Sequence, residues 1–339
     1  VTGVTAQSKT YDGAVTGELS GTAELVGIIT NDNVILRTGS AAISFDNKNV
    51  GDGKSVSVSG MTLDGNDSGN YTISQPTGLT ANITPKNLTV TGVTAQSKTY
   101  DGTTAVTLDT TSAAFVGKVT NDDLAIVKTG VTGAFPDKNA GTGKIIAISG
   151  VDKSGNDADN YTITQPTATA NISPASSGLL WADPSTIIFG ESLGNSQLNA
   201  TASVAGTFAY SPTIGTRLDA GQETLSVTFT PTSANYTTST ATVTITVIPK
   251  AITVTADDST VTYGTTFSPT FTVEGLSAPD TALSVSYSYA GAGSTSYPAS
   301  AVPPVRAGTY NITPSTLVLQ SGNPDNYAIA YDAGVGTIE

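Results

Sequence analysis

The sequence contains no cysteine and no histidine among its 339 residues. These absences exclude disulfide bonds, catalytic thiols, zinc sites built from Cys and His, and any Ser-His-Asp triad. Aromatic residues make up only 6%, with a single tryptophan, so each domain is expected to enclose a thin core. The sequence shows no signal peptide, and no apolar run reaches the eighteen residues of a membrane span. We therefore predict no insertion into a membrane.

Basic residues are also scarce, with 14 Lys and Arg against 27 Asp and Glu, a net charge of −13. The excess of acid extends over the whole chain. Such a surface stays soluble and repels phosphate backbones. We predict a monomer that does not bind nucleic acid.

Glutamate is too rare and too unevenly placed to indicate an enzyme. Hydrolysis of a glycoside requires a pair of carboxyl groups, yet Glu18 and Glu24 have no counterpart in the second copy of the repeat described below. The sequence predicts no enzymatic activity, no catalytic residues and no cofactor-binding residues.

What the sequence does contain is a copy of itself. VTGVTAQSKTYDG occupies residues 1–13 and returns unchanged at residues 90–102, and GNDSGNYTISQPT at 65–77 matches GNDADNYTITQPT at 155–167. A constant spacing of about ninety residues is typical of a tandem array of small domains. Thr and Val, which favour strands, are abundant, and no long segment has helical periodicity. The fold class predicted is all-β.

Two further segments keep the same landmarks in the same order, so we predict four Ig-like, β-sandwich-type modules. Module one covers residues 1–87, module two 88–175, module three 176–249 and module four 250–339. Each has an aromatic residue before Gly, then a Val or Ala before Gly, then an Asn-Tyr pair. The landmarks are Tyr11, Tyr100, Phe189 and Tyr263; Val50, Ala140, Ala220 and Ala307; Tyr71, Tyr161, Tyr236 and Tyr327. We expect the late tyrosine to pack on the core and to bond a loop carbonyl through its hydroxyl, like the tyrosine corner of Ig-like sandwiches.

The joints between modules are short and contain proline. Pro85, Pro174 and Pro249 follow the closing segment of modules one, two and three. Proline interrupts a strand ladder, so we expect the modules to follow one another as a semi-rigid rod. Strands of roughly 8–11 residues predict that four modules in line form a rod of roughly 120–160 Å. Most bending is expected at residues 175–178.

Modules one and two resemble the YDG repeat of large bacterial surface adhesins, including filamentous-haemagglutinin-like exoproteins. The resemblance is carried by KTYDG at residues 9–13 and 98–102 and by NYTI at 70–73 and 160–163. Module four is similar to the MBG repeat, and residues 179–249 resemble a bacterial Ig-like repeat. The resemblance implies extracellular extension modules without catalytic residues.

Two Asp- and Asn-rich loops are the best candidates for a metal site. Carboxylate, amide and carbonyl oxygens are the ligands that calcium prefers, but turns favour the same residues for local hydrogen bonding. Plain turn chemistry is the favoured interpretation of these loops, calcium is the alternative, and no other cofactor is predicted. The candidate ligands are Asp64, Asn66, Asp67, Asn156, Asp157 and Asp159. Weaker candidates are residues 31–33, 122–123 and 257–258.

Three other features allow a functional or a structural interpretation. Lys9 and Lys98 with Asn70 and Asn160 have the residue types of an isopeptide bond, with solvated lysines as the favoured alternative. Trp181 is interpreted as packing at the joint between modules two and three or in the third core, with sugar stacking as the alternative. Three tyrosines in module four form a further candidate binding surface, although alternation on one strand favours packing: Tyr287, Tyr289 and Tyr297.

The leading hypothesis is an extracellular spacer at a bacterial cell surface that projects a distal binding domain. Its partners are then flanking repeats of the same chain, with glycan or host surface bound through other parts. One alternative is an array that binds glycan or host protein by avidity. Another is the linker of a secreted polysaccharide-active enzyme.

Overall fold

The computed structural model describes all 339 residues as strands, turns and three short 3-10 helices. The all-β prediction is confirmed. The 3-10 helices are Ser68–Asn70, Ala158–Asn160 and Pro324–Asn326, and none is long and apolar enough to cross a membrane. The chain divides into two compact units, residues 1–175 and 176–339.

The first unit contains nineteen strands: β1 (Thr2–Ala6), β2 (Lys9–Thr10), β3 (Leu19–Glu24), β4 (Ile35–Arg37), β5 (Ala42–Phe45), β6 (Gly51–Ser59), β7 (Thr62–Asp64), β8 (Leu79–Thr84), β9 (Lys86–Thr91), β10 (Thr94–Ala95), β11 (Lys98–Thr99), β12 (Leu108–Asp109), β13 (Ala114–Val116), β14 (Ala125–Val127), β15 (Thr132–Ala134), β16 (Gly141–Ser149), β17 (Asp152–Ser154), β18 (Tyr161–Thr164) and β19 (Thr167–Ser173).

The second unit contains eleven strands: β20 (Ile187–Ile188), β21 (Gly206–Ser211), β22 (Gly221–Pro231), β23 (Ser239–Ile248), β24 (Lys250–Ala256), β25 (Ser259–Val261), β26 (Phe271–Glu274), β27 (Thr281–Gly291), β28 (Gly308–Ser321), β29 (Tyr327–Asp332) and β30 (Gly334–Ile338).

One four-stranded sheet recurs four times, twice in each unit. The strand orders are β2-β8-β6-β5, β11-β19-β16-β15, β20-β23-β22-β21 and β25-β30-β28-β27. In every case a short opening strand runs parallel to the closing strand, and the long central strand pairs antiparallel with that same closing strand. Modules three and four therefore share this sheet with modules one and two, although their sequences have diverged.

Modules two and four complete a sandwich with a three-stranded sheet. Its order is β13-β9-β18 in module two and β26-β24-β29 in module four, with a parallel pair in each. Because side chains alternate across a strand, one face of each sheet supplies the core. Strand β19 alternates between exposed and buried residues along its whole length, and Val243, Ile245 and Val247 of β23 are buried together.

Proline marks the change from one set of strands to the next. No strand pair crosses Pro85 or Pro249, since β8 ends at Thr84 and β9 begins at Lys86, while β23 ends at Ile248 and β24 begins at Lys250. The apolar core nevertheless continues past both prolines. Tyr11 and Ile83 belong to one buried cluster with Leu88, Leu124 and Tyr161. The same holds in the second unit for Phe189, Val247, Ile252, Leu317 and Tyr327.

Candidate functional site: the joints within the two units

The first two landmarks meet at the C-terminal end of each module because of the sheet topology. The opening strand and the start of the long central strand both pair with the end of the closing strand. The aromatic residue follows the opening strand, so the Tyr11 amide donates to the Thr84 carbonyl at 2.9 Å and the Phe189 amide to the Ile248 carbonyl at 2.9 Å. Val50 immediately precedes the central strand and lies at the same end.

The third landmark lies at the opposite end. Tyr161 is the first residue of β18 and pairs with Lys86, the first residue of β9, and Tyr327 of β29 pairs with Lys250 of β24 in the same way. The Asn-Tyr pair of modules two and four is thus placed where the preceding module ends. The three landmarks of adjacent modules come together there.

The centre of the first joint is the carboxylate of Asp122, which is only 6% exposed. It accepts hydrogen bonds from the Tyr161 hydroxyl of its own module and from the Tyr11 hydroxyl of module one, the latter at 2.9 Å. The ammonium of Lys48, also from module one, lies 3.1 Å from Asp122 and 2.9 Å from Asp157. The rings of Tyr11 and Tyr161 meet edge to face with centroids 5.4 Å apart.

Asn160 ties the two backbones together beside this carboxylate. Its Oδ1 accepts from the Val50 amide at 2.9 Å, and its Nδ2 donates to Asn49 at 3.2 Å. The side chain is 3% exposed. A buried amide with both ends satisfied holds its neighbours in one orientation.

The charges of the first joint are mutually stabilised. Burial opposes ionisation of Asp122, but hydrogen bonds from Tyr161, Tyr11 and Lys48 outweigh it and hold the pKa of the carboxyl below its usual value. Hydrogen bonds to Asp157 and Asp122 raise the pKa of Lys48. Burial, followed by the bond to Asp122, raises the pKa of the Tyr161 hydroxyl. At neutral pH the joint therefore holds a carboxylate, an ammonium and neutral phenols.

In modules one and three the glycine after the aromatic landmark allows the next module to approach closely. Gly13 has φ +79°, and a Cβ placed on it would lie 2.7 Å from Cγ1 of Val119 in module two. Gly190 has φ +101°, and a Cβ there would lie 2.6 Å from Oγ of Ser277 in module four. Only glycine satisfies both the left-handed backbone and this contact.

The second unit repeats the joint with different side chains. The Tyr327 hydroxyl donates to Asp280 and accepts from the Ser277 amide at 3.2 Å. The Asn326 Oδ1 accepts from the Ala220 amide at 2.7 Å. Phe189 packs edge to face on Tyr327 with centroids 5.3 Å apart.

An arginine takes the place of the lysine in this second joint. The guanidinium of Arg217 stacks 4.4 Å above the Phe189 ring, donates to the Ala278 carbonyl and lies 3.5 Å from Asp280. Since Phe189 has no hydroxyl, Asp280 lacks the tyrosine donor that Asp122 receives from module one. The two joints therefore make the same kinds of contact, although some of the residues differ.

The sequence-based interpretation of the Asn-Tyr landmark needs one correction. The ring of Tyr161 does pack on the core, but its hydroxyl donates to a carboxylate and accepts from the Val119 amide at 2.9 Å, rather than bonding a loop carbonyl. Tyr71 does the same in module one with Asp32 and Ile29.

Sequence reasoning missed the charged residues of both joints. Lys48 and Arg217 precede the Val-Gly and Ala-Gly landmarks by two and three residues, and the sequence presents Asp122 only as a weaker calcium candidate. One signal was present: Asp32 and Asp122, ninety residues apart, each follow an asparagine, and both tyrosines of the Asn-Tyr landmark bond them.

The calcium candidates of module one are engaged in local contacts. Asp64 pairs with Arg37 and accepts from the Gly65 amide at 2.8 Å. Asp67 accepts from the Asn33 amide at 2.8 Å. Asn66 and its neighbours lie in the turn that ends β7.

The calcium candidates of module two also have partners within the protein. Asp157 accepts from the Asp123 amide at 2.9 Å and pairs with Lys48, and the Asn156 Nδ2 donates to Asp123 at 2.8 Å. Asp159 lies in the second 3-10 helix. The structure contains no group of three or more acidic side chains placed to hold a metal ion. Calcium binding stays an alternative to the favoured turn chemistry, and neither is tested by these contacts.

The side chains considered for an isopeptide bond have separate partners. The ammonium of Lys9 contacts Asp12 and two carbonyls, and that of Lys98 contacts Asp101 and Thr103. The Asn160 amide bonds Asn49 and Val50 instead.

Trp181 packs within the third module, as one of the two main interpretations predicts. Its ring lies edge to face with Tyr210 at 5.4 Å, and its Nε1 donates to the Gln197 carbonyl at 3.1 Å. In module four Tyr289 is buried, while Tyr297 is half-buried against Tyr310. Tyr287 is also half-buried against this cluster, so all three rings pack on the fourth core.

Comparison with protein families identifies most of the chain. The YDG domain matches residues 1–78 and 84–170, and the MBG domain of the YGX type matches residues 252–337. Comparison with curated proteins gives no match.

Several solved structures align over nearly the whole chain, at low identity. Drosophila N-cadherin EC1-4 aligns over 99% of this chain and 98% of its own, with 8% identity and a TM-score of 0.25. The immunoglobulin domains 1-5 of Sidekick-1 align over 98% and 78%, with 10% identity and a TM-score of 0.26. The four N-terminal Ig domains of Dscam1 isoform 4.44 align over 99% of both chains, with 10% identity and a TM-score of 0.23.

Proposed function

The chain carries two YDG domains and one MBG domain, and from this premise we propose that it is an extracellular spacer segment of a bacterial surface adhesin. One observation carries the proposal: each unit contains a joint in which an Asp and a buried Asn-Tyr pair of one module receive a cation and an aromatic ring from the module before it. A joint of this kind restrains bending, and restrained bending is what a spacer requires.

Small-angle X-ray scattering of the whole chain tests the proposal. The sequence predicts a maximum dimension of roughly 120–160 Å. A maximum dimension well below this range contradicts the spacer.

A matched pair of variants links the scattering to the joint. Lys48→Met removes the cation from Asp122, and we expect a broader distance distribution because module one gains freedom to bend. Lys54→Met removes a similar ion pair with Asp46 inside module one and is expected to leave the distribution unchanged. Equal effects of the two substitutions contradict a stiffening role for the joint.

A binding function in module four is the second candidate, favoured by a cavity of about 730 Å³. Its lining includes Tyr297, Val302, Val305 and Arg306, and the two valines are 65% and 75% exposed. Aromatic and apolar walls with one cation are common in ligand sites. A glycan array probed with the whole chain tests this candidate, and binding that is lost in Arg306→Ala supports it.

A further inference from the structure

Module one carries at its N-terminal end the same set of residues that module two uses to hold module one. Each member of the set lies ninety residues before its counterpart: Ile29, Asp32, Asp67, Asn70 and Tyr71 correspond to Val119, Asp122, Asp157, Asn160 and Tyr161. We call the five residues of module one the vacant half-joint.

The hydrogen bonds within the vacant half-joint match those that the five corresponding residues make in module two. The Tyr71 hydroxyl donates to Asp32 at 2.6 Å and accepts from the Ile29 amide at 2.9 Å. The Asn33 amide donates to Asp67 at 2.8 Å, as the Asp123 amide donates to Asp157 at 2.9 Å. All of these hydrogen bonds form between residues of module one.

The difference between the two half-joints is their exposure. Asp122 and Asn160 are 6% and 3% exposed, whereas Asp32 is half-buried and Asn70 is exposed. Ile29, whose counterpart Val119 is half-buried against Gly13, is 68% exposed. The surface thus offers two carboxylates, an amide and an apolar side chain, all in the positions that a neighbouring module covers elsewhere in the same chain.

We propose that the vacant half-joint is a docking surface for the C-terminal end of another YDG-type domain. The partner would present a tyrosine hydroxyl and an ammonium to Asp32 and a backbone amide to Asn70, as Tyr11, Lys48 and Val50 do in the first joint. A lysine meets two acidic residues, so the charges are complementary. This inference stands whether or not the chain acts as a spacer.

An extended chain provides the test. A second copy of residues 1–89 is placed directly before Val1 of the full chain. The new junction then reads NLTV followed by TGVTAQSKTYDG, which is the sequence already present at residues 87–102. The added Lys86, Asn87 and Leu88 supply the strand that pairs with residues 161–163 in module two and is expected to pair with residues 71–73 of module one.

Asp32→Ala in the original module one is then compared in the two chains. In the unextended chain we expect its melting temperature to change by less than about 1 °C, because Asp32 is half-buried there and water can replace the partner that Tyr71 loses. In the extended chain we expect a fall of about 4 °C or more, similar to that caused by Asp122→Ala in the unextended chain. Equal, small effects of Asp32→Ala in both chains overturn the proposal.

A double-mutant cycle identifies the contact itself. Lys48→Met in the added copy and Asp32→Ala are combined in the extended chain, and the combined loss should be smaller than the sum of the two single losses. The reference is the cycle of Lys48→Met with Asp122→Ala in the unextended chain, where the contact is 3.1 Å. Additive losses in the extended chain alongside coupling in the reference overturn the proposal, as does an extended chain that fails to fold.

Discussion

At the scale of single residues, the first joint depends on one buried carboxylate with three donors. Asp122 receives two phenol hydroxyls and one ammonium, and two of these three donors come from the preceding module. Removing a partner from a buried charged group costs more than the bond was worth on balance, because the remaining group stays desolvated. The tyrosines of the joint therefore do more than fill the core.

Tyr161→Phe isolates the contribution of one tyrosine hydroxyl to the stability of the joint. The ring and its packing stay, while Asp122 and the Val119 amide lose a partner. We expect the free energy of unfolding to fall by about 1–3 kcal/mol, measured by urea denaturation followed by circular dichroism.

Tyr71→Phe is the matched control for this substitution. It removes the equivalent pair of bonds, to Asp32 and the Ile29 amide, in a setting where water replaces the lost hydroxyl. We expect a clearly smaller loss. Equal losses for the two variants would show that the joint adds nothing to the bonds within a module.

At the scale of elements, the turn after the opening strand decides how closely two modules approach. Gly13→Ala forces alanine into a left-handed backbone and places a methyl group 2.7 Å from Val119. The first effect costs about 1–2 kcal/mol, and crowding of a packed interface adds about 1–3 kcal/mol. A substantial fall in melting temperature is expected.

Gly264→Ala separates strain from crowding. Gly264 has φ +89°, close to that of Gly13, but no heavy atom lies within 4 Å of the Cβ that alanine would add. Only the cost of the backbone is expected in this variant. If Gly264→Ala lowers the melting temperature as much as Gly13→Ala, the glycine serves the turn alone and not the joint.

The two Asp- and Asn-rich loops, as candidate calcium sites, give a second prediction at the scale of elements. Asp64 already pairs with Arg37, and Asp67 accepts a hydrogen bond from the Asn33 amide. Asp157 pairs with Lys48 and accepts from the Asp123 amide. A calcium ion would have to displace these donors. We expect the melting temperature to be the same in chelator and in millimolar calcium, and a rise of several degrees with calcium would establish the metal site instead.

At the scale of the whole molecule, the sequence predicts the architecture more completely than it predicts the contacts between modules. The all-β fold, the repeat and the joining prolines follow from composition and self-similarity, because these are local or periodic properties. The joint was not predicted, because Tyr11 and Asp122 are 111 residues apart and belong to different copies of the repeat. Landmarks that look like separate turns and core positions in the sequence prove to be opposite sides of one interface. In the second unit Phe189 and Arg217 replace Tyr11 and Lys48, so even the comparison of copies conceals the shared chemistry.

The absence of histidine and the abundance of aspartate together predict how stability depends on pH. The pKa is held below its usual value in seven aspartates, all within residues 1–175: Asp12, Asp46, Asp64, Asp101, Asp109, Asp122 and Asp137. For Asp101 the hydrogen bond from Lys98 is the main cause and lowers the pKa to about 2. An unfolded aspartate titrates near pH 3.9.

A carboxyl group whose pKa is lower in the folded state adds stability above its unfolded pKa, and that stability is lost as the pH falls through the folded pKa. We therefore expect melting temperatures to be nearly constant from about pH 8 to about pH 5, and to fall steeply from about pH 4 to about pH 2. Circular dichroism melting at constant ionic strength measures this profile. Asp122→Asn should be less stable at neutral pH but should lose less on acidification, because one of the linked protonations is gone. A main loss of stability between pH 8 and pH 5 would contradict the assignment, since the chain has no side chain of ordinary pKa that titrates there.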